Sequence, residues 1–111
     1  MDHRNEMTQA DINRSAIEDL RIAEKRRAAA LHELQEALNS LGESDLPKVS
    51  LVDDAWERYR DALADFEGKV WGDNGTIALT VKKSIERELT DEYVTRIERL
   101  LSGLRKSGLI K

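Results

Sequence analysis

The chain contains no cysteine, so disulfides, thiolate nucleophiles and cysteine-ligated metals are excluded from its chemistry. One proline and six glycines in 111 residues leave long segments uninterrupted. Aromatic residues make up only 5% of the chain, and the β-branched residues are scattered rather than alternating, which argues against a sheet. No apolar run approaches the ~20 residues a membrane-spanning helix needs. Residues 1–6 are polar with no apolar segment behind them, so no signal-peptide pattern is visible. These features predict a cytoplasmic protein or, alternatively, the mature part of an exported one.

Charge is plentiful but not concentrated. Lys and Arg number 18 against 22 Asp and Glu, a formal net charge of −4. Nucleic-acid binding needs a cationic face, and this balance argues against it. The basic runs Lys25-Arg26-Arg27 and Lys82-Lys83 have carboxylates within one or two turns and read as solvated helix faces.

What the sequence does contain is helical periodicity. Thr8, with Asp11 three residues on, is a near capping box opening a first segment to Leu41. Its apolar positions recur at Ile12, Ala16/Ile17, Leu20, Ala23, Ala30/Leu31, Leu34, Ala37/Leu38 and Leu41. Such a helix would be ~50 Å long, and longer than its partners, so one end should project, bend or meet another chain. Gly42 closes it, and Pro47 suits the first turn of a second segment reaching Gly72. The second stripe reads Val49, Val52, Ala55/Trp56, Tyr59, Leu63, Phe66 and Val70/Trp71. Asp73-Asn74-Gly75 is a turn, and Thr76 is a good N-cap for a third segment whose stripe reads Ile77, Val81, Ile85, Leu89, Val94 or Tyr93, Ile97, Leu100/Leu101 and Leu104.

Short connections place consecutive helices antiparallel. The predicted fold is all-α, an up-down-up antiparallel three-helix bundle with a long first helix. Residues 1–7 are expected as a disordered tail, 8–106 as a single helical domain and 107–111 as a C-terminal tail.

Catalytic chemistry finds little to work with. His3 lies in the expected tail, and His32 has only Glu36 one turn on, two donors where a metal site needs at least three. The carboxylates Asp53, Asp54, Glu57, Asp61, Asp65 and Glu67 alternate with Arg58 and Arg60 at helix-pair spacing, as with Asp54 and Arg58, and read as solvated ion pairs. No nucleophile has a base beside it, and no glycine-rich phosphate loop exists. No catalytic residue, cofactor site or metal site is assigned, and the chain is expected to act by binding.

Two features stand apart. Arg27 interrupts the first stripe; it either snorkels to solvent or pairs with a carboxylate of a neighbouring helix. Trp56, Tyr59, Arg60 and Asp61 form the densest set of large and charged side chains. Either the rings are the centre of the core and the charges lie on the surface, or Arg60 and Asp61 make buried or loop-tying hydrogen bonds beside the rings.

The same cluster, Ala55-Trp56-Glu57-Arg58-Tyr59-Arg60-Asp61-Ala62 followed by Phe66-Glu67, resembles the A-W-x-x-Y-R-D-A…F/L-E signature of the LprI-type lysozyme inhibitor family. Asn74-Gly75-Thr76-Ile77 is similar to that family's G-G-S-I/M turn, and Leu89-Thr90 to its L-T pair. Residues 7–13, Met-Thr-Gln-Ala-Asp-Ile-Asn, are similar to its M-T-Q-A-E-M-N opening. The resemblance makes Trp56, Tyr59, Arg60, Asp61, Gly75 and Thr76 the signature residues, with structural roles. It departs where family members carry cysteines, which fall at Ser15, Ala64 and Ile85, and in Tyr93-Val94 replacing an R-T pair. Small or apolar residues at the cysteine positions suit a chain that folds without an oxidising compartment.

The resemblance implies a non-catalytic, all-helical protein that binds a partner protein sterically, possible targets being peptidoglycan-cleaving enzymes. Lysozymes are generally basic, and an acidic partner would be steered toward them. The acidic loop with Glu43 and Asp45, and the protruding turn with Asp73 and Asn74, are the expected contact residues. The alternative is a cytoplasmic helical interaction protein (an immunity- or antitoxin-like partner, an adaptor or a self-associating module) unrelated to lysozyme. That reading predicts homo-oligomerisation through the long first helix. Neither expects a cofactor, nucleic acid or a membrane.

Overall fold

A computed structural model describes residues 8–42, 48–72 and 76–110. Three helices make up the fold: α1 (Gln9–Leu41), α2 (Val49–Gly72) and α3 (Thr76–Lys106). The capping box at the start of α1 is complete. Thr8 Oγ1 accepts from the Asp11 N–H at 3.1 Å, and Asp11 Oδ2 accepts from the Thr8 N–H at 3.4 Å. Hydrogen bonding of the carboxyl to the Thr8 side chain, then to its backbone N–H, also holds Asp11 below its usual pKa. Gly42 ends α1 in the left-handed region at φ 68°, its N–H donating to the Asn39 carbonyl. At the far end Gly108, at φ 78°, closes α3 with the paired bonds of a Schellman motif: Gly108 N–H to Arg105 O and Leu109 N–H to Leu104 O. Residues 107–110, expected as a tail, thereby turn back, and Ile110 packs on the core.

α3 is the central helix, and both α1 and α2 pack against it. α1 runs parallel to α3. Gln9 and Asn13 hydrogen-bond Thr80 at one end, and Glu33 pairs with Arg105 at the other. α2 runs antiparallel to both, giving the up-down-up order. Its backbone approaches α3 most closely at Gly68, where a Cβ would lie 3.2 Å from Lys82 Cβ and 3.3 Å from the Ala78 carbonyl oxygen. α1 and α2 meet mainly through long charged side chains. The result is an extended slab, 63 × 29 × 16 Å, with a radius of gyration of 18.0 Å against the ~13 Å of a compact chain this long. α3, at 31 residues, nearly matches the 33 of α1, so α1 lies along a partner instead of projecting freely. The last turns of α1 are covered by Val49 and Ile110.

The apolar core sits at one end of the slab. Ala30 and Leu34 of α1, Val49 of α2, and Val94, Ile97 and Leu101 of α3 form one buried cluster. These positions follow the stripes expected for the first and third segments.

The second stripe is a correction. Val52, Tyr59, Phe66, Val70 and Trp71 are all more than half exposed, while the buried positions of α2 are Val49, Arg60, Ala64 and Gly68. α2 is therefore rotated relative to the expected stripe. Small residues at Ala64 and Gly68 admit close approach to α3, and Arg60 is buried because carboxylates meet it there. Tyr59 is consequently not a core ring, and Arg60 is not a surface charge.

Candidate functional site

The centre of the slab holds a polar cluster where α1, α2 and α3 meet. Arg27, from α1, is 6% exposed and clamps Asp53 of α2 with two parallel bonds, Nε–Oδ1 at 3.0 Å and Nη2–Oδ2 at 2.7 Å. Its remaining donor, Nη1, reaches Glu24 one turn earlier at 2.8 Å. Burial works against the charge on Arg27. The hydrogen bond and attraction of Asp53, then of Glu24, outweigh it and hold the guanidinium above its ordinary pKa. Of the two readings of Arg27, pairing with a neighbouring helix is the one the structure adopts, and the solvated basic run loses this member.

Arg60 mirrors it from α2. It donates to Glu24 of α1, to Asp61 Oδ1 at 2.9 Å and to Thr90 Oγ1 of α3 at 3.2 Å. Thr90 is wholly buried, and its hydroxyl donates to the Glu86 carbonyl at 2.7 Å. The Trp56 ring lies between these groups. Tyr93 stacks on it with centroids 4.0 Å apart and planes 10° from parallel, and the Arg27 and Arg60 guanidiniums stand over it at 4.7 and 5.1 Å. Burial, then the charge of Asp53 and a hydrogen bond to it, push the Tyr93 hydroxyl up to about 12. Among the described residues no buried side-chain nitrogen or oxygen lacks a partner.

Chemically this cluster ties the three helices together through charge-assisted hydrogen bonds. Asp53, Glu24 and Asp61 each accept from a buried guanidinium at hydrogen-bond distance. Among the described residues no group of three His, Cys, Asp or Glu side chains is placed to hold a metal ion. His32 and Glu36 form an exposed pair at 3.1 Å.

The structure brings Trp56, Arg60 and Asp61 together and leaves Tyr59 outside, more than half exposed. α3 begins at Thr76. Gly75 and the four expected contact residues, Glu43, Asp45, Asp73 and Asn74, lie outside the described residues. Sequence reasoning missed Glu24, which serves both buried arginines, and Tyr93, which joins α3 to Asp53 and Trp56. Glu24 carried a local signal, standing three residues before an arginine on a helix; Tyr93 carried none, because its partners are about 40 residues away.

Trp56 and Arg60 of the A-W-x-x-Y-R-D-A signature and Thr90 of the L-T pair are thus one contact set spanning two helices. A family model described as lysozyme inhibitor LprI matches residues 1–98. The chain belongs to the LprI lysozyme inhibitor family. Comparison with curated proteins and with solved structures returned no match. For this LprI-family chain the positions resembling family cysteines sit in different settings: Ala64 is fully buried in α2, Ile85 is half-buried in α3 and Ser15 is exposed on α1. Among the described residues no helix is long and apolar enough to cross a membrane.

Proposed function

We propose that this LprI-family protein is a non-catalytic inhibitor that binds a lysozyme and blocks it sterically, without a cofactor. The family match over residues 1–98 carries the reading. The cross-braced centre supports it, because a rigid slab presents a surface without losing entropy on docking. The signature residues Trp56, Arg60 and Asp61 serve as structure in this reading, and contact is made elsewhere. Glu43 and Asp45 before α2, and Asp73 and Asn74 before α3, are proposed contact residues, and the net charge of −4 steers the protein toward a basic enzyme. An inhibitor of a peptidoglycan-cleaving enzyme would act outside the cytoplasm.

The testing experiment is a lysozyme lysis assay with purified protein across a range of salt concentrations. Dose-dependent inhibition that weakens as salt rises is expected, and none at micromolar protein would sink the reading. Inhibition left unchanged by joint substitution of Glu43 and Asp45 with lysine would remove that loop from the contact.

The cysteine-free chain favours a second reading, a helical interaction protein with an intracellular partner or with itself through α1. Light scattering that finds only monomer would remove the self-associating form.

A further inference from the structure

The two ends of the slab are held together in different ways. At one end the apolar cluster of Ala30, Leu34, Val49, Val94, Ile97 and Leu101 joins all three helices. At the other, residues 8–22 of α1 contribute no buried residue, and neither do residues 77–85 of α3. Ile12, Ile17 and Ile22 are each a third or more exposed. The seam between α1 and α3 there is an open cleft walled largely by small and polar side chains, Ser15, Ala16 and Asp19 on α1 and Thr80, Ser84 and Arg87 on α3. Such walls remove little apolar area from water, and apolar packing is what mainly holds a helix in place.

A polar clasp ties this stretch of α1 to α3. Gln9 Nε2 donates to Thr80 Oγ1 at 2.8 Å and to Asn13 Oδ1 at 3.0 Å, and the Thr80 hydroxyl donates to Asn13. The ion pairs of the stretch, Arg14 with Asp11 and Arg21 with Glu18, are internal to α1. Among the described residues, the next side-chain ties from α1 to another helix begin at Glu24: Glu24 to Arg60, Arg26 to Asp91 and Arg27 to Asp53. Ala23, 2% exposed, is the first buried residue of the helix. The anchored part of α1 therefore starts abruptly, one residue after Ile22.

We infer that residues 9–22 form a hinged arm that leaves α3 and unwinds as one unit while the rest of the slab stays folded. Ala23 and Glu24 are its hinge, and the clasp of Gln9, Asn13 and Thr80 is its latch. Residues 9–22 fall within the ~12–15 residues at which an isolated helix is marginal in water, so the arm melts once it is detached. Elements that move in function are drawn from such low-stability stretches. The protein is thus divided into a rigid body, cross-braced at Arg27 and Arg60, and a movable segment whose release opens the seam and uncovers Thr80 and Ser84. Arm release is a property of the fold, whatever the partner.

The test is native-state hydrogen exchange on the full chain, read amide by amide by NMR at low urea concentrations. The amides of residues 13–22 are expected to share one protection level, on the order of a hundredfold below that of Leu34 and Ile97, with a step at Ala23. Thr80→Val, which removes the latch hydroxyl, should speed exchange across that whole plateau roughly fivefold. Ile97→Val, in the apolar cluster that an open arm leaves intact, should speed exchange at Leu34 by a similar factor and leave the plateau unchanged. Protection that climbs residue by residue from Asn13 with no step would mean ordinary end fraying and overturn the arm. So would an arm protected as strongly as Leu34, or one that Ile97→Val loosens as much as the core, because either means that α1 opens only with the whole protein. A plateau indifferent to Thr80→Val would overturn the latch.

Discussion

The bidentate pair between Arg27 and Asp53 is the principal tie between α1 and α2, so removing its carboxylate tests the account of the fold directly. Asp53→Ala deletes two charge-assisted bonds to a buried guanidinium and the acceptor for the Tyr93 hydroxyl. Removing one member of a buried ion pair costs ~3–5 kcal/mol when the other is left uncompensated. Here Arg27 keeps Glu24 at 2.8 Å and has Glu57 at 3.7 Å, and the Asp53 side chain is itself 19% exposed, so the lower part of that range applies. A loss of about 3 kcal/mol is expected, including ~1 kcal/mol for the tyrosine hydrogen bond. For a domain of this size that lowers the melting temperature by roughly 10–20 °C. Asp53→Asn, which keeps one acceptor, should cost about half as much. A double-mutant cycle with Arg27→Met, measured by urea unfolding, should return a coupling of ~2 kcal/mol, above the ~0.2–1 kcal/mol of exposed pairs. Coupling at or below ~0.5 kcal/mol would refute the reasoning and make the pair an ordinary surface contact.

Three further outcomes are expected. The Tyr93 hydroxyl is raised in the folded state, so the protonated form is favoured by folding; its contribution is complete below about pH 10, the unfolded value, and is lost as pH rises through about 12. Absorbance titration of a Tyr59→Phe variant, in which Tyr93 is the remaining tyrosine, should place the folded midpoint near 12, and a midpoint near 10 would contradict the Asp53 contact. Gly68→Leu should destabilise by about 2 kcal/mol because the Ala78 carbonyl and the Lys82 backbone cannot withdraw, whereas in Gly68→Ala a helix-propensity gain of ~1 kcal/mol offsets the tight contact; chemical denaturation of both variants separates these effects. Thr8→Ala removes the side-chain acceptor for the Asp11 N–H, keeps the backbone N–H bond to Asp11 Oδ2, and should cost about 1 kcal/mol, seen as faster amide exchange confined to the first turns of α1.

Much of the fold was legible in the residues because its signals are local. Thr8 with Asp11 marks the start of α1 and Gly42 its end, and the caps form where the sequence places them. The stripes of α1 and α3 bury Ala23, Ala30, Leu34, Val94, Ile97 and Leu101, since each has apolar residues on one side and charges on the other. The A-W-x-x-Y-R-D-A and L-T motifs pointed to the family before any contact was known. Tertiary structure alone decided how α2 is turned. Periodicity counts apolar side chains and takes the richest stripe as buried, but packing also weighs how near two backbones can come and whether a buried charge finds partners. Ala64 and Gly68 let α2 approach α3, and Glu24, Asp61 and Thr90 together satisfy Arg60. Asp61 is its neighbour in sequence, but Glu24 and Thr90 come from α1 and α3 and cannot be read from the residues around Arg60. Their convergence buries an arginine and leaves Phe66 and Tyr59 facing outward.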